Sequence, residues 1–275
     1  MRWPEAAPPR SVRRARPIEA MRTATFSHAW LLGVATAAVA ADSASIGAGR
    51  FESAVPPAQG VATVEVAAFD LDTKPVTNAQ FLAFVRTHRS WRRDHVSRLF
   101  ADAEYLSHWR SATALGAAAR PSQPVTHVSW FAAKAYCEAR GARLPTWYEW
   151  EYVAAADGTT PDARGNPLWR QAILDWYAHP SAQPLADVGR APNYYGVFDL
   201  HGLIWEWVLD FNALLVSNDS REQGGADRAR FCGEGALSTV DREHYAVLMR
   251  IAFLSSLEAA YTTANLGFRC ARGER

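Results

Sequence analysis

Asn193–Trp207 reads NYYGVFDLHGLIWEW, and Asn265–Ala271 answers it later in the chain with NLGFRCA. In the first stretch two Trp flank a Glu. On an extended segment the rings of Trp205 and Trp207 share one face, and Glu206 points to the other. A carboxylate set among so many large apolar groups needs a compensating cation or a set of donors. That is the pattern of a site.

Outward from this stretch, the bulk numbers set the frame. A chain of 275 residues that is 49% apolar can bury one sizeable core. Its formal net charge of +1 offers no electrostatic footprint for nucleic acid. Eleven Trp suit a loop-rich fold pinned by aromatic clusters better than a helical bundle.

The first forty residues read as an N-terminal extension and signal peptide (1–40), followed by one domain (41–275). From Met21 there is a basic start at Arg22, an apolar run from Ala29 to Val39, and Ala38-Val39-Ala40 as a small-residue cleavage site. The run is too short for a comfortable membrane span. Export to the periplasm is expected, with no membrane anchor after cleavage. Three cysteines follow, Cys137, Cys232 and Cys270. In an oxidising compartment that means one pair and one leftover thiol, and arithmetic does not choose the pair.

Several elements announce themselves. Val61–Phe69 alternates as a strand. Thr77 and Gln80 form a capping box before a helix that places Phe81, Phe84 and Val85 on one face. Arg86–Ser122 is basic and aromatic, either a contact for an anion or peptide or a solvated loop anchored by its rings. Ser129 can cap a helix through Arg140, with Gly141 ending it in the left-handed conformation. Thr146 and Glu149 make a second capping box. Leu168, Ala172, Leu174 and Trp176 predict a short amphipathic helix.

Together PVTNAQFLAFV, VTHVSWFAAKAYCEARGARLPTWYEWEYVAAA, the WEW turn and NLGFRC resemble the formylglycine-generating enzyme (sulfatase-modifying factor) family over roughly Val64–Arg272. The resemblance implies an α+β fold of that type, distantly like C-type lectins, with short helices, small twisted sheets and much irregular chain. It makes IGAGRFES a faded form of the family's Gly-rich opening strand. It also implies a Cys137–Cys270 disulfide. Trp147 and Tyr148 replace smaller or acidic family residues and are expected to pack against a partner particular to this chain. Asp157–Arg190 departs most, so the family's first calcium site is not carried over.

The family's second calcium site maps onto His201, Gly202, Ile204 and Glu206. Calcium accepts backbone carbonyls, so side-chain identity matters only at Glu206. Leu203 stands where the family has Asn. The alternative is a Glu206 ion pair with an arginine such as Arg269. Where the family carries a copper-binding cysteine pair after a Gly-rich turn, this chain has RFCGEGALSTVDREHYAVLMR, Arg230–Arg250. Copper is not expected, because hydroxyls are poor substitutes for thiolates. Cys232 is either a reactive thiol at the pocket rim or a buried small hydrophobe. Pocket candidates are Trp207, Cys232, Ser238, Arg250 and Asn265. The reading that follows is an exported accessory or maturation protein serving a periplasmic protein partner, such as a metalloenzyme of denitrification, without copper-dependent formylglycine generation. The alternatives are an oxidative tailoring enzyme using the same pocket and a lectin-like binding module.

Overall fold

The computed structural model describes residues 43–54, 63–212, 247 and 249–273. Four short strands come first: β1 (Ser43–Ile46), β2 (Gly49–Glu52), β3 (Thr63–Val66) and β4 (Phe69–Asp72). β1 lies antiparallel to β4, with Ser43 opposite Asp72 and Ile46 opposite Phe69, while β2 pairs with β3. The expected strand over Val61–Phe69 is therefore two strands, broken at Ala67-Ala68, and the Gly-rich opening is a pair as well. Each strand keeps one face in the core through Ile46, Phe51, Val64, Val66, Phe69 and Leu71.

Helix α1 (Asn78–Thr87) begins where its capping box predicts. The Gln80 amide nitrogen donates to the Thr77 hydroxyl and the Thr77 nitrogen to the Gln80 side chain. Its buried face is Phe81, Leu82, Phe84 and Val85. The basic segment that follows is anchored by its rings: Tyr105 and Trp109 are buried, and Trp109 Nε1 donates to Asn78 Oδ1 at 3.0 Å.

α2 (Trp130–Ala139) is capped by Ser129 and is followed by Gly141 at φ +64°, a conformation glycine adopts without a Cβ penalty. α3 (Trp147–Ala154) carries the second capping box from Thr146 and Glu149. Tyr148 meets Phe51 of β2 edge-on, and Trp147 is buried. α4 (Pro167–Ala178) forms in the divergent region, capped by Asn166 with Pro167 in its first turn. Its face differs from the expected one: Ile173 is the buried residue, while Leu168 is 80% exposed.

Two-residue strands complete the frame. β5 (Trp205–Glu206) runs parallel to β6 (Leu266–Gly267), and β7 (Ala271–Arg272) extends the first sheet beside β4. A helical stretch covers 249–255. The two motif segments quoted first are thus strand neighbours. Cys137 of α2 and Cys270 are joined as a disulfide with Cα atoms 5.6 Å apart, the pairing the resemblance implied.

Candidate functional site

The WEW turn sits where β5, β6 and α3 meet. Pairing of Trp205 with Leu266 sets the alternation, so Glu206 faces inward and is fully buried. Trp207 is buried too, and its Nε1 donates to the Val128 carbonyl at 2.9 Å. Trp205 stacks on Tyr177 of α4 with centroids 4.8 Å apart.

Glu206 is enclosed by donors. Arg269 Nη2 donates to Oε1 at 2.7 Å and Arg269 Nε to Oε2 at 2.9 Å, while Trp150 Nε1 reaches Oε2 at 2.9 Å. Arg250, also buried, donates to the Glu206 backbone carbonyl and lays its guanidinium 3.5 Å from the centre of the Trp150 ring. Burial lowers the Arg250 pKa to about 10, since water no longer solvates its charge. Among the described residues its Nε has no hydrogen-bond partner.

His201 follows the same logic. Its Nε2 lies 2.9 Å from the Ala154 carbonyl, which makes that nitrogen the protonated one, and Nδ1 has no partner among the described residues. Burial pushes its pKa down to about 4, so the ring is neutral at pH 7. It meets Trp150 and Trp169 edge-on beside a cavity of about 30 Å³ walled by Ile173 and Leu174.

These placements bear on the metal expectations. Both Glu206 oxygens receive donors, and the Gly202 carbonyl accepts from Arg190 at 3.1 Å. Ile204 is packed with Leu203 and Leu185. A calcium ion at Glu206 would lie beside the Arg269 guanidinium, so these four residues as placed do not fit calcium; the ion pair with Arg269 occupies the carboxylate instead. The copper expectation falls on residues 230–246, which lie outside the described residues; the two described cysteines, Cys137 and Cys270, are bonded to each other. Cys232 and Ser238 lie outside the described residues. Trp207 and Arg250 are brought together through Glu206. Asn265 stands at the near end of β5, its carbonyl accepting the Trp205 amide at 2.7 Å. The sequence reading overlooked Trp150, which closes the site from α3. It also overlooked Asp199, buried at φ +58°, which accepts from the Gly189 and Arg190 amides.

A model of the "Sulfatase-modifying factor enzyme 1-like domain" matches residues 34–274. The chain belongs to the sulfatase-modifying factor family. It is 31% identical to the formylglycine-generating enzyme of Streptomyces coelicolor, over 78% of this chain and 82% of that one. It is 30% identical to the mouse protein named inactive C-alpha-formylglycine-generating enzyme 2, over 76% of each. Among solved structures, PvdO from Pseudomonas aeruginosa aligns at 16% identity and a TM-score of 0.44, over 84% of this chain and 93% of that one. The family assignment makes the buried Glu206–Arg269 pair part of a formylglycine-generating-enzyme fold.

Proposed function

We propose that the protein is an exported accessory or maturation factor that keeps the formylglycine-generating-enzyme fold without copper-dependent formylglycine generation. Its client is a protein of the periplasm, such as a metalloenzyme of denitrification. One observation carries this reading. Of the three cysteines, Cys137 and Cys270 are consumed in a disulfide, which leaves Cys232 as the only remaining thiol. A copper ion held by two protein thiolates cannot be built from one. The disulfide also suits an oxidising compartment. The mouse relative supports the same reading, since its name describes an inactive member of the fold.

The test has two arms. A peptide bearing the sulfatase-type cysteine, incubated with the protein, copper and oxygen, is expected to keep its mass. Conversion of that thiol to an aldehyde, abolished by Cys232→Ser, would overturn the reading in favour of an oxidase. Loss of the protein from its host is expected to leave the client metalloenzyme synthesised but under-metallated, with Cys232→Ser restoring it. A client that is fully metallated without the protein would overturn the accessory role.

A further inference from the structure

Away from the Glu206 cluster, the turns that follow α1 form a basic surface. Positions 86–110 hold six arginines and three carboxylates, although the whole chain carries a net charge of only +1. Among the described residues Arg92 alone of these six is ion-paired, to Asp94 at 2.7 Å. Three others are oriented by uncharged acceptors. Arg86 donates to the Thr113 carbonyl at 3.2 Å and Arg98 to the Asp102 carbonyl at 2.8 Å. Arg89 Nε donates to His95 Nε2 at 2.7 Å, and the other ring nitrogen of His95 lies 2.8 Å from Asp94 Oδ1. Arg89 and Arg92 are thus tied into one network. A guanidinium has five donors, so a fork oriented by one bond keeps others for a further acceptor.

The same turns present apolar surface. Leu99 is 79% and Phe100 44% exposed. Single apolar side chains on a surface need no explanation, but these two are consecutive and prolong a strip of rings. Phe100 meets Trp91 with centroids 6.2 Å apart and Phe131 of α2 at 5.2 Å. Trp91 stands between Arg89 and Arg92 in the chain and Phe100 follows Arg98 by two positions, so cations flank the strip on both sides of the Trp91–Phe100 contact. Aromatic rings with arginines are the composition that carries binding at protein–protein interfaces. We propose that this strip and its arginines are a docking surface for an acidic protein segment bearing an aromatic or large apolar side chain. Charge complementarity selects the occupant. A flat anionic bilayer would meet the exposed carboxylates of Asp94 and Glu104 together with the arginines, whereas a peptide can set each of its carboxylates beside a cation. The proposal rests on the proposed function in one respect, that the partner is a protein.

The experiment is fluorescence anisotropy of a labelled peptide that repeats Asp-Glu-Phe, titrated with the full chain. It reads binding alone, so its outcome is independent of whether any client is matured. Binding is expected, weakening as salt is raised. Two control peptides, one repeating Asn-Gln-Phe and one repeating Asp-Glu-Ala, should each bind about tenfold more weakly or worse. Leu99→Glu and Arg98→Ala should each weaken the first peptide by about fivefold to tenfold. Both side chains are exposed, and circular dichroism checks that the fold is kept. No binding, equal binding of the control peptides, or binding indifferent to both variants would each overturn the proposal. Two further results would do so by naming another occupant. Sedimentation with phosphatidylglycerol vesicles, lost in Leu99→Glu and without peptide binding, would assign the surface to a membrane. A dimer in light scattering that Leu99→Glu dissociates would assign it to a second copy of this chain.

Discussion

Arg269 and Glu206 face each other with both side chains fully buried, Nη2 to Oε1 at 2.7 Å, although 63 positions separate them. The same guanidinium also donates to the carbonyls of Asp72, Thr73 and Phe198. One planar group therefore ties the end of β4, the NYYG stretch and the WEW turn to the C-terminal motif. A lysine has neither the donors nor the fixed fork to do this.

Glu206→Gln should cost about 3–5 kcal/mol, because it leaves Arg269 buried without its counter-charge. Urea unfolding measures this. Adding calcium to the metal-free protein should leave the melting temperature unchanged, since Arg269 already holds the carboxylate. A rise that Glu206→Gln abolishes would show that calcium displaces the arginine.

Non-reducing peptide mapping should recover Cys137 linked to Cys270, with Cys232 alkylated as a free thiol. The sequence separation of 133 makes the enclosed loop long. Reduction should therefore lower stability by about 2–5 kcal/mol.

Gly267→Ala should destabilise by about 1–3 kcal/mol or more. A Cβ there would lie 2.4 Å from the Val125 carbonyl oxygen and 2.8 Å from Ile204 Cδ1. The carbonyl is backbone and cannot swing aside. Thermal unfolding of the variant checks the prediction, and a melting temperature equal to wild type would contradict it.

His201 predicts a pH dependence. Its pKa falls from 6.5 to about 4 on folding, so between those values the unfolded chain binds more protons than the native one. Stability from this group is complete above about pH 6.5 and declines towards pH 4, by about 3 kcal/mol. Urea midpoints across pH 4–7 should show that slope, and His201→Gln should flatten it.

Local signals in the chain were readable because they act over three or four residues. Thr77, Ser129 and Thr146 cap the helices predicted for them, and Gly141 adopts the left-handed turn. The face of α4 was misjudged because its apolar residues surround the helix, and only tertiary contact selects Ile173. The Glu206 alternatives were open for a similar reason, as a carboxylate in an apolar string asks for a cation without saying which. Arg86–Ser122 left a contact and a solvated loop open in the same way; the ring contacts that join Trp91, Phe100 and Phe131 follow no spacing rule.

The segment 265–272 supplies β6, the Arg269 guanidinium, the second disulfide sulfur and β7. Each of these joins a part of the chain made long before it. A nascent polypeptide that has been made as far as the WEW turn has its aromatic surfaces but lacks the segment that closes them. Completing these contacts must wait for residues 265–272, and pairing over such long sequence separations is slow. During that wait those aromatic surfaces stay exposed, and exposed apolar surface of this kind is what makes a half-made chain prone to aggregate.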